Sequence, residues 1–244
     1  MDWGCALRDK HANPESSIEY DSAMSSLEQV SQQSVALTRD RSRAIFGQTM
    51  GLVAVTAAVA GFGAYLGRDL SRGVAMVAII GAIVCIVAMN AAIKRSEQLA
   101  IGLLFGMGAL IGVSAGPILA YYASVNPSAL WQSAGTTALF IGALGAFGYA
   151  TRRDLSMIGR ISFFALLGLI VFGFVLMFVS IPGGNVIYAV LGLVIFSGYT
   201  MYDFQRLRRA DSIKAAPLLA ASIFLDIFNV FLLMLSLFGG GGRS

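Results

Sequence analysis

Two aspartates stand inside apolar sequence. Asp226 lies nine residues into the apolar stretch 217–238, and Asp203 closes the apolar stretch before it. A charge at that depth in a bilayer costs about 2.5–3.5 kcal/mol on insertion scales, so an intramembrane acid marks a functional pathway by default. If the two carboxylates meet, both cannot ionise freely, and the pair becomes a proton-sensitive switch. Ser222 and Asn229, one turn either side of Asp226, extend a polar strip along one helix face. Tyr199, one turn before Asp203, brings a phenolic donor.

Three roles compete for these residues. In the first, each acid is protonated or bonded to a basic loop residue and only holds helices together. In the second, the pair serves a cation pathway. Two carboxylates are too few for a tight Ca²⁺ site, which takes about 6–8 oxygens, but they suit a site that an ion enters and leaves with help from water and carbonyls. The third is the aspartic dyad of intramembrane proteases. Those enzymes carry Gly-x-Gly-Asp at the second aspartate, whereas this chain reads Ile223-Phe224-Leu225-Asp226, so no enzyme is expected. A retinal protein is excluded, because Lys10, Lys94 and Lys214 are the only lysines and none lies in the last apolar stretch.

The elements that must position the pair are membrane helices. Hydrophobic residues make up 57% of the chain and charged residues 12%, and seven apolar runs are each long enough to cross a bilayer. The runs are 46–66, 73–93, 98–120, 131–150, 158–179, 185–205 and 217–238. The fold class is therefore an all-α integral membrane protein with seven transmembrane helices. Residues 1–44 are expected to be a cytoplasmic, disordered tail with at most a weak surface helix over 26–38. Residues 45–238 form the transmembrane domain, and 239–244 a short extracytoplasmic tail. The opening residues lack the apolar core of a secretion signal, and no Gly follows Met1 to accept myristate, so the first span is expected to stay as an anchor.

Lys and Arg set the orientation. Arg8, Lys10, Arg39, Arg41, Arg43, Lys94, Arg95, Arg152, Arg153, Arg160, Arg206, Arg208, Arg209 and Lys214 fall on one side of this framework, and only Arg68, Arg72 and Arg243 on the other. The positive-inside rule then places the N-terminus in the cytoplasm and the C-terminus outside. On the same framework Asp203 and Asp226 are the only two of thirteen acids within spans. Both are approached from the cytoplasmic side, Asp203 roughly 7 Å and Asp226 roughly 13 Å along their helix axes at 1.5 Å per residue. Whether they meet depends on helix rotation.

Other counts exclude partners. Cys5 and Cys85 fall in different environments, so no disulfide framework is indicated. A single His11 leaves no zinc cluster, and no cofactor is expected. The net charge of +4 follows from loop bias and calls for no nucleic acid. Gly108, Gly112 and Gly116 recur at spacing four, and Gly142, Gly145 and Gly148 at spacing three. Such small-residue stripes let helices approach closely in lipid, as packing within the chain rather than between copies. Gly116-Pro117 could bend the third span. Arg68-Asp69-Leu70-Ser71 returns as Arg153-Asp154-Leu155-Ser156, but the two loops face opposite sides. Their aspartates read as helix-initiating residues whose carboxylates meet exposed backbone N–H groups.

The runs Gly112-Val113-Ser114-Ala115-Gly116-Pro117-Ile118-Leu119 and Thr136-Thr137-Ala138-Leu139-Phe140, with Tyr202-Asp203 and Phe224-Leu225-Asp226-Ile227-Phe228-Asn229-Val230-Phe231, resemble the Bax inhibitor-1 family in its bacterial branch. The resemblance covers roughly residues 45–238 and not the tail. It implies two three-helix layers around a central last helix in a bacterial inner (plasma) membrane. It also implies a pH-sensitive Ca²⁺ leak gated by Asp203 and Asp226, with Ca²⁺ and protons as partners. A basic residue closing the second span latches onto the first aspartate in that family, and the matching stretch here is Lys94-Arg95. A latching Lys would make a weaker fork than Arg. Some bacterial relatives instead modulate a membrane-bound AAA protease through a cytoplasmic tail, which makes that the alternative function.

Overall fold

The computed structural model describes residues 14–240. Among these the regular elements are all helical: α1 (Pro14–Gly67), α2 (Arg72–Ala92), α3 (Glu97–Val125), α4 (Pro127–Ala150), α5 (Ser156–Phe178), α6 (Gly184–Arg208), a 3₁₀ turn (Ile213–Ala215) and α7 (Ala216–Gly240). Seven of them carry a segment long and apolar enough to cross a membrane, so the chain is a seven-span, all-α membrane protein. Cys5 and His11 lie outside the described residues.

The chain divides into two units, residues 1–44 and 45–244. Residues 14–44, expected as a disordered tail, are helical in this structure. Nothing between Glu15 and Phe46 breaks a helix: the stretch contains neither Gly nor Pro, and its Glu, Gln, Ala, Leu and Arg residues are good helix formers among the serines.

Local chemistry moves several expected boundaries. The third span was expected to end at 120, yet α3 runs through Pro117 to Val125, since neighbouring helices in a bundle can accommodate the backbone group that an interior proline frees. The fourth was expected from 131, yet α4 starts at Pro127. There the Asn126 side chain accepts from the Ala129 N–H at 3.3 Å, and a proline in the first turn loses no helical bond. Ser96 caps α3 in the same way, accepting from the Leu99 N–H.

Glycine then sets the packing. A Cβ on Gly108, Gly112 or Gly116 of α3 would run into α1 at Thr56, Ala60 and the Ala64–Gly67 turn, and Gly63 and Gly67 of α1 lie against Ala109 and Val113 in return. The stripe is thus a backbone-to-backbone seam within one chain, as small residues allow in lipid. Gly145 and Gly148 of α4 receive Phe204 and Met201 of α6, while Gly142 faces open space.

The helix most enclosed is α7. Half of its apolar window is buried, against 17% in α2 and 11% in α5. It touches α2, α3, α4 and α6, while α1 packs on α3 and α5 on α6. Exposed Met76, Val77, Ile80 and Val87 on α2, and Phe164, Val171, Phe174 and Phe178 on α5, form apolar faces far too large for a soluble monomer and suited to acyl chains.

Candidate functional site

The site forms where the end of α6 meets the start of α7. The connection between them is short and begins with a last helical turn carrying Arg206 and Arg208, cations that suit a helix C-terminus. After Ser212 caps the 3₁₀ turn, α7 folds back antiparallel along α6 and presents Ser222 to it.

Asp203 is almost fully buried, 1% exposed, and both its oxygens are engaged. Arg206, one turn on, donates from Nη1 to Oδ1 at 2.8 Å. Ser222 of α7 donates from Oγ to Oδ2 across the helix pair. Charge-assisted bonds of this kind are about twice as strong as neutral ones, and they satisfy an ionised acid that would otherwise be stranded.

Asp226 sits one turn beyond Ser222 and is 4% exposed. Its Oδ2 has no hydrogen-bond partner among the protein's groups. Because Ser222, one turn before it, bonds Asp203 across the helix pair, the structure brings the two aspartates into one site. Tyr199 is within reach of both acids as well. It packs its ring near Phe196, centroids 6.0 Å apart, and makes no hydrogen bond to Asp203.

Other expected members fall elsewhere. Asn229 turns its Nδ2 to the Leu225 carbonyl at 2.7 Å and lines a largely apolar cavity of about 450 Å³ between α2, α3 and α7, away from the carboxylates. Lys94 and Arg95 do not latch Asp203: they are exposed in the turn after α2, and Arg206 holds the acid instead. The reason is distance along the chain. A partner three residues away on the same helix is already in place, whereas a residue beyond the end of α2 must be carried there by tertiary packing. The Asp203…Arg206 spacing was the available signal for this pair.

Sequence reasoning missed the clamp behind the site. Gln205, 1% exposed, donates from Nε2 to the Arg153 carbonyl at 2.6 Å and accepts from the Leu155 N–H at 2.9 Å. Arg208 donates to the Tyr149 carbonyl at 2.8 Å, and Arg209 to Asp154 at 3.0 Å. The end of α6 is therefore tied to the α4–α5 connection. Asp154 also accepts from the Ser156 side chain and N–H, which, with Arg209, hold its carboxyl below the ordinary value. It initiates α5 as expected, whereas Asp69 pairs with Arg68 at 3.1 Å and leaves α2 uncapped by its side chain.

Among the described residues no three His, Cys, Asp or Glu gather to hold a metal ion. What the arrangement offers a cation is two carboxylates and neighbouring neutral oxygens, a set suited to weak and transient binding.

The family model described as "Inhibitor of apoptosis-promoting Bax1" matches residues 42–243. The chain is similar to an uncharacterized protein of Caulobacter vibrioides, 35% identical over 140 residues, which are 54% of this chain and 55% of that protein. It is similar to one of Helicobacter pylori, 30% identical over 148 residues, 60% of this chain and 64% of that protein. Against the inner membrane protein YbhL of Escherichia coli it is 27% identical over 172 residues, 66% of this chain and 72% of that protein. The matches thus span less than two thirds of the first two relatives. With seven spans, a buried aspartate on each of the last two helices and a family match over nearly the whole membrane domain, the chain belongs to the Bax inhibitor-1 family.

Proposed function

We propose that the protein is a pH-regulated cation leak, with Ca²⁺ as the transported ion and Asp203 and Asp226 as its gate. The observation that carries this reading is the pair itself: two buried carboxylates in one site, one locked by Arg206 and Ser222, the other with an oxygen that no protein group satisfies. Buried polar atoms are as a rule hydrogen-bonded, so an unpartnered one points to a role beyond packing.

In the closed form Arg206 holds the Asp203 carboxylate while Ser222 pins α7 to α6. A proton on Asp203 discharges the ion pair and loosens that pin, so leak rises. When both acids are protonated their affinity for a divalent cation is lost, and leak falls again. The charged and titratable groups facing the pair are Arg206 and Tyr199. The positive-inside rule supports an N-terminus and α6–α7 connection in the cytoplasm and a C-terminus outside, and on that reading the gate senses cytoplasmic pH. No catalytic role is assigned to the dyad.

The test is calcium-dye flux into liposomes holding the full chain, across a pH series. Wild type should leak more on modest acidification. Asp203→Asn and Asp226→Asn should each shift or flatten the profile, and the double variant should fall short of additivity, as neighbouring groups do. Full additivity with an unmoved midpoint would mean that the aspartates act independently and that the coupled gate is wrong.

A further inference from the structure

A further buried oxygen without a partner among the protein's groups lies on α6, one turn before Asp203. Thr200 is fully buried, and its Oγ1 finds no hydrogen-bond partner among the protein's groups. Buried Thr49 and Thr137 share this state, whereas other helical hydroxyls bond the carbonyl one turn back. Thr56 does so to Leu52 at 2.7 Å, and Ser133 to Ala129 at 2.6 Å. Thr200 is left with its hydroxyl uncommitted.

Depth and direction both bring it to Asp226. The Asp203–Ser222 bond sets the register of the antiparallel pair. From it, Thr200 is three residues back along α6, about 4.5 Å, and Asp226 four residues forward along α7, about 6 Å, so the two sit at nearly the same level. At about 100° per residue, Thr200 lies about 60° round α6 from Asp203, on the side of Phe204, which faces α4 through Gly145. Asp226 lies about 40° round α7 from Ser222, on the side of Val230, which packs in one cluster with Ile141 of α4. Both groups therefore point into the junction of α4, α6 and α7.

Building on the leak reading above, we propose that the Thr200 hydroxyl is a third protein oxygen of the gate, completing with Asp203 and Asp226 a site for a partly hydrated divalent cation. Hard cations accept neutral oxygens beside carboxylates. Water supplies the remaining positions, which keeps the ion free to leave.

The experiment is a Tb³⁺ luminescence titration of the detergent-solubilised full chain, with displacement by Ca²⁺ and with Asp226→Asn as background. Thr200→Val keeps the shape and removes the oxygen; Thr200→Ser keeps the oxygen and removes a methyl. Thr200→Val should weaken Ca²⁺ displacement by about five- to tenfold, the loss of one polar contact, and Thr200→Ser should stay at the wild-type value. If Thr200 only packs, the order reverses, because Ser leaves a cavity and Val does not. Equal affinity in Thr200→Val and wild type, or that reversed order, overturns the proposal. Liposome flux on the same variants separates it from the leak reading: loss of binding in Thr200→Val with no wild-type flux at any pH keeps the site and removes the leak, and normal flux with unchanged binding does the opposite.

Discussion

Replacing Arg206 by Gln isolates the ion pair that closes the site. With Nη1 at 2.8 Å from Oδ1, the charge centres attract by about 4 kcal/mol at 4 Å and an effective dielectric of 20. Asp203 is dry, but the arginine side chain is 43% exposed, and solvent screening draws the net coupling toward the value of surface pairs, about 1 kcal/mol or less. A coupling of about 1–2 kcal/mol lies between these limits. It corresponds to about a five- to thirtyfold change in the balance between closed and open forms. The sign follows from the charge state: the pair exists only while Asp203 is ionised, so its loss matters at alkaline pH and disappears in acid. Calcium-dye flux in liposomes at pH 8 should therefore rise by about that factor in Arg206→Gln, and the two profiles should converge on acidification. Arg206→Lys should fall between, since a point charge replaces the fork. Lys94→Gln and Arg95→Gln should match wild type. Unchanged flux at pH 8 in Arg206→Gln, together with a rise in Lys94→Gln or Arg95→Gln, would return the latch to α2 and refute the reasoning.

Gly112→Val should lower the thermal midpoint in detergent markedly, because its Cβ would meet the backbone of Ala60 and overpacking costs about 1–3 kcal/mol or more; Gly142→Val, at a position with open space, should be close to neutral. Asp154→Asn should leave the midpoint of the flux profile in place. Its carboxyl is held below the ordinary value by Ser156 and Arg209, so it is charged throughout the neutral range and loses its contribution only as the pH falls through that lowered value; a displaced midpoint would assign pH sensing to the α4–α5 connection. A reporter fused after Phe238 should read as extracytoplasmic and one inserted at Arg209 as cytoplasmic, and a cytoplasmic C-terminus would overturn the orientation.

Seven spans, and the two acids within them, were legible because both follow from local quantities: the length of an apolar run and the cost of a charge inside it. The resemblance at Gly-Pro and around Asp203 and Asp226 carried the family for the same reason, since those motifs are contiguous. The close seam of Gly108, Gly112 and Gly116 was readable as packing, but its partner, α1, was not. Rotation about each helix axis is where local sequence stops. A turn of about 100° per residue means that a small change in helix phase sends Ser222 to Asp203 or away from it. Only the packing of α7 between the other helices chose the phase that bonds Ser222 to Asp203 and turns Asn229 toward α2 and α3. That packing also left Lys94 and Arg95 in solvent and placed the Gln205 amide on the backbone of the α4–α5 connection. Each of these outcomes depends on how residues distant in sequence or on different helices meet or fail to meet, decided by the burial of the whole bundle.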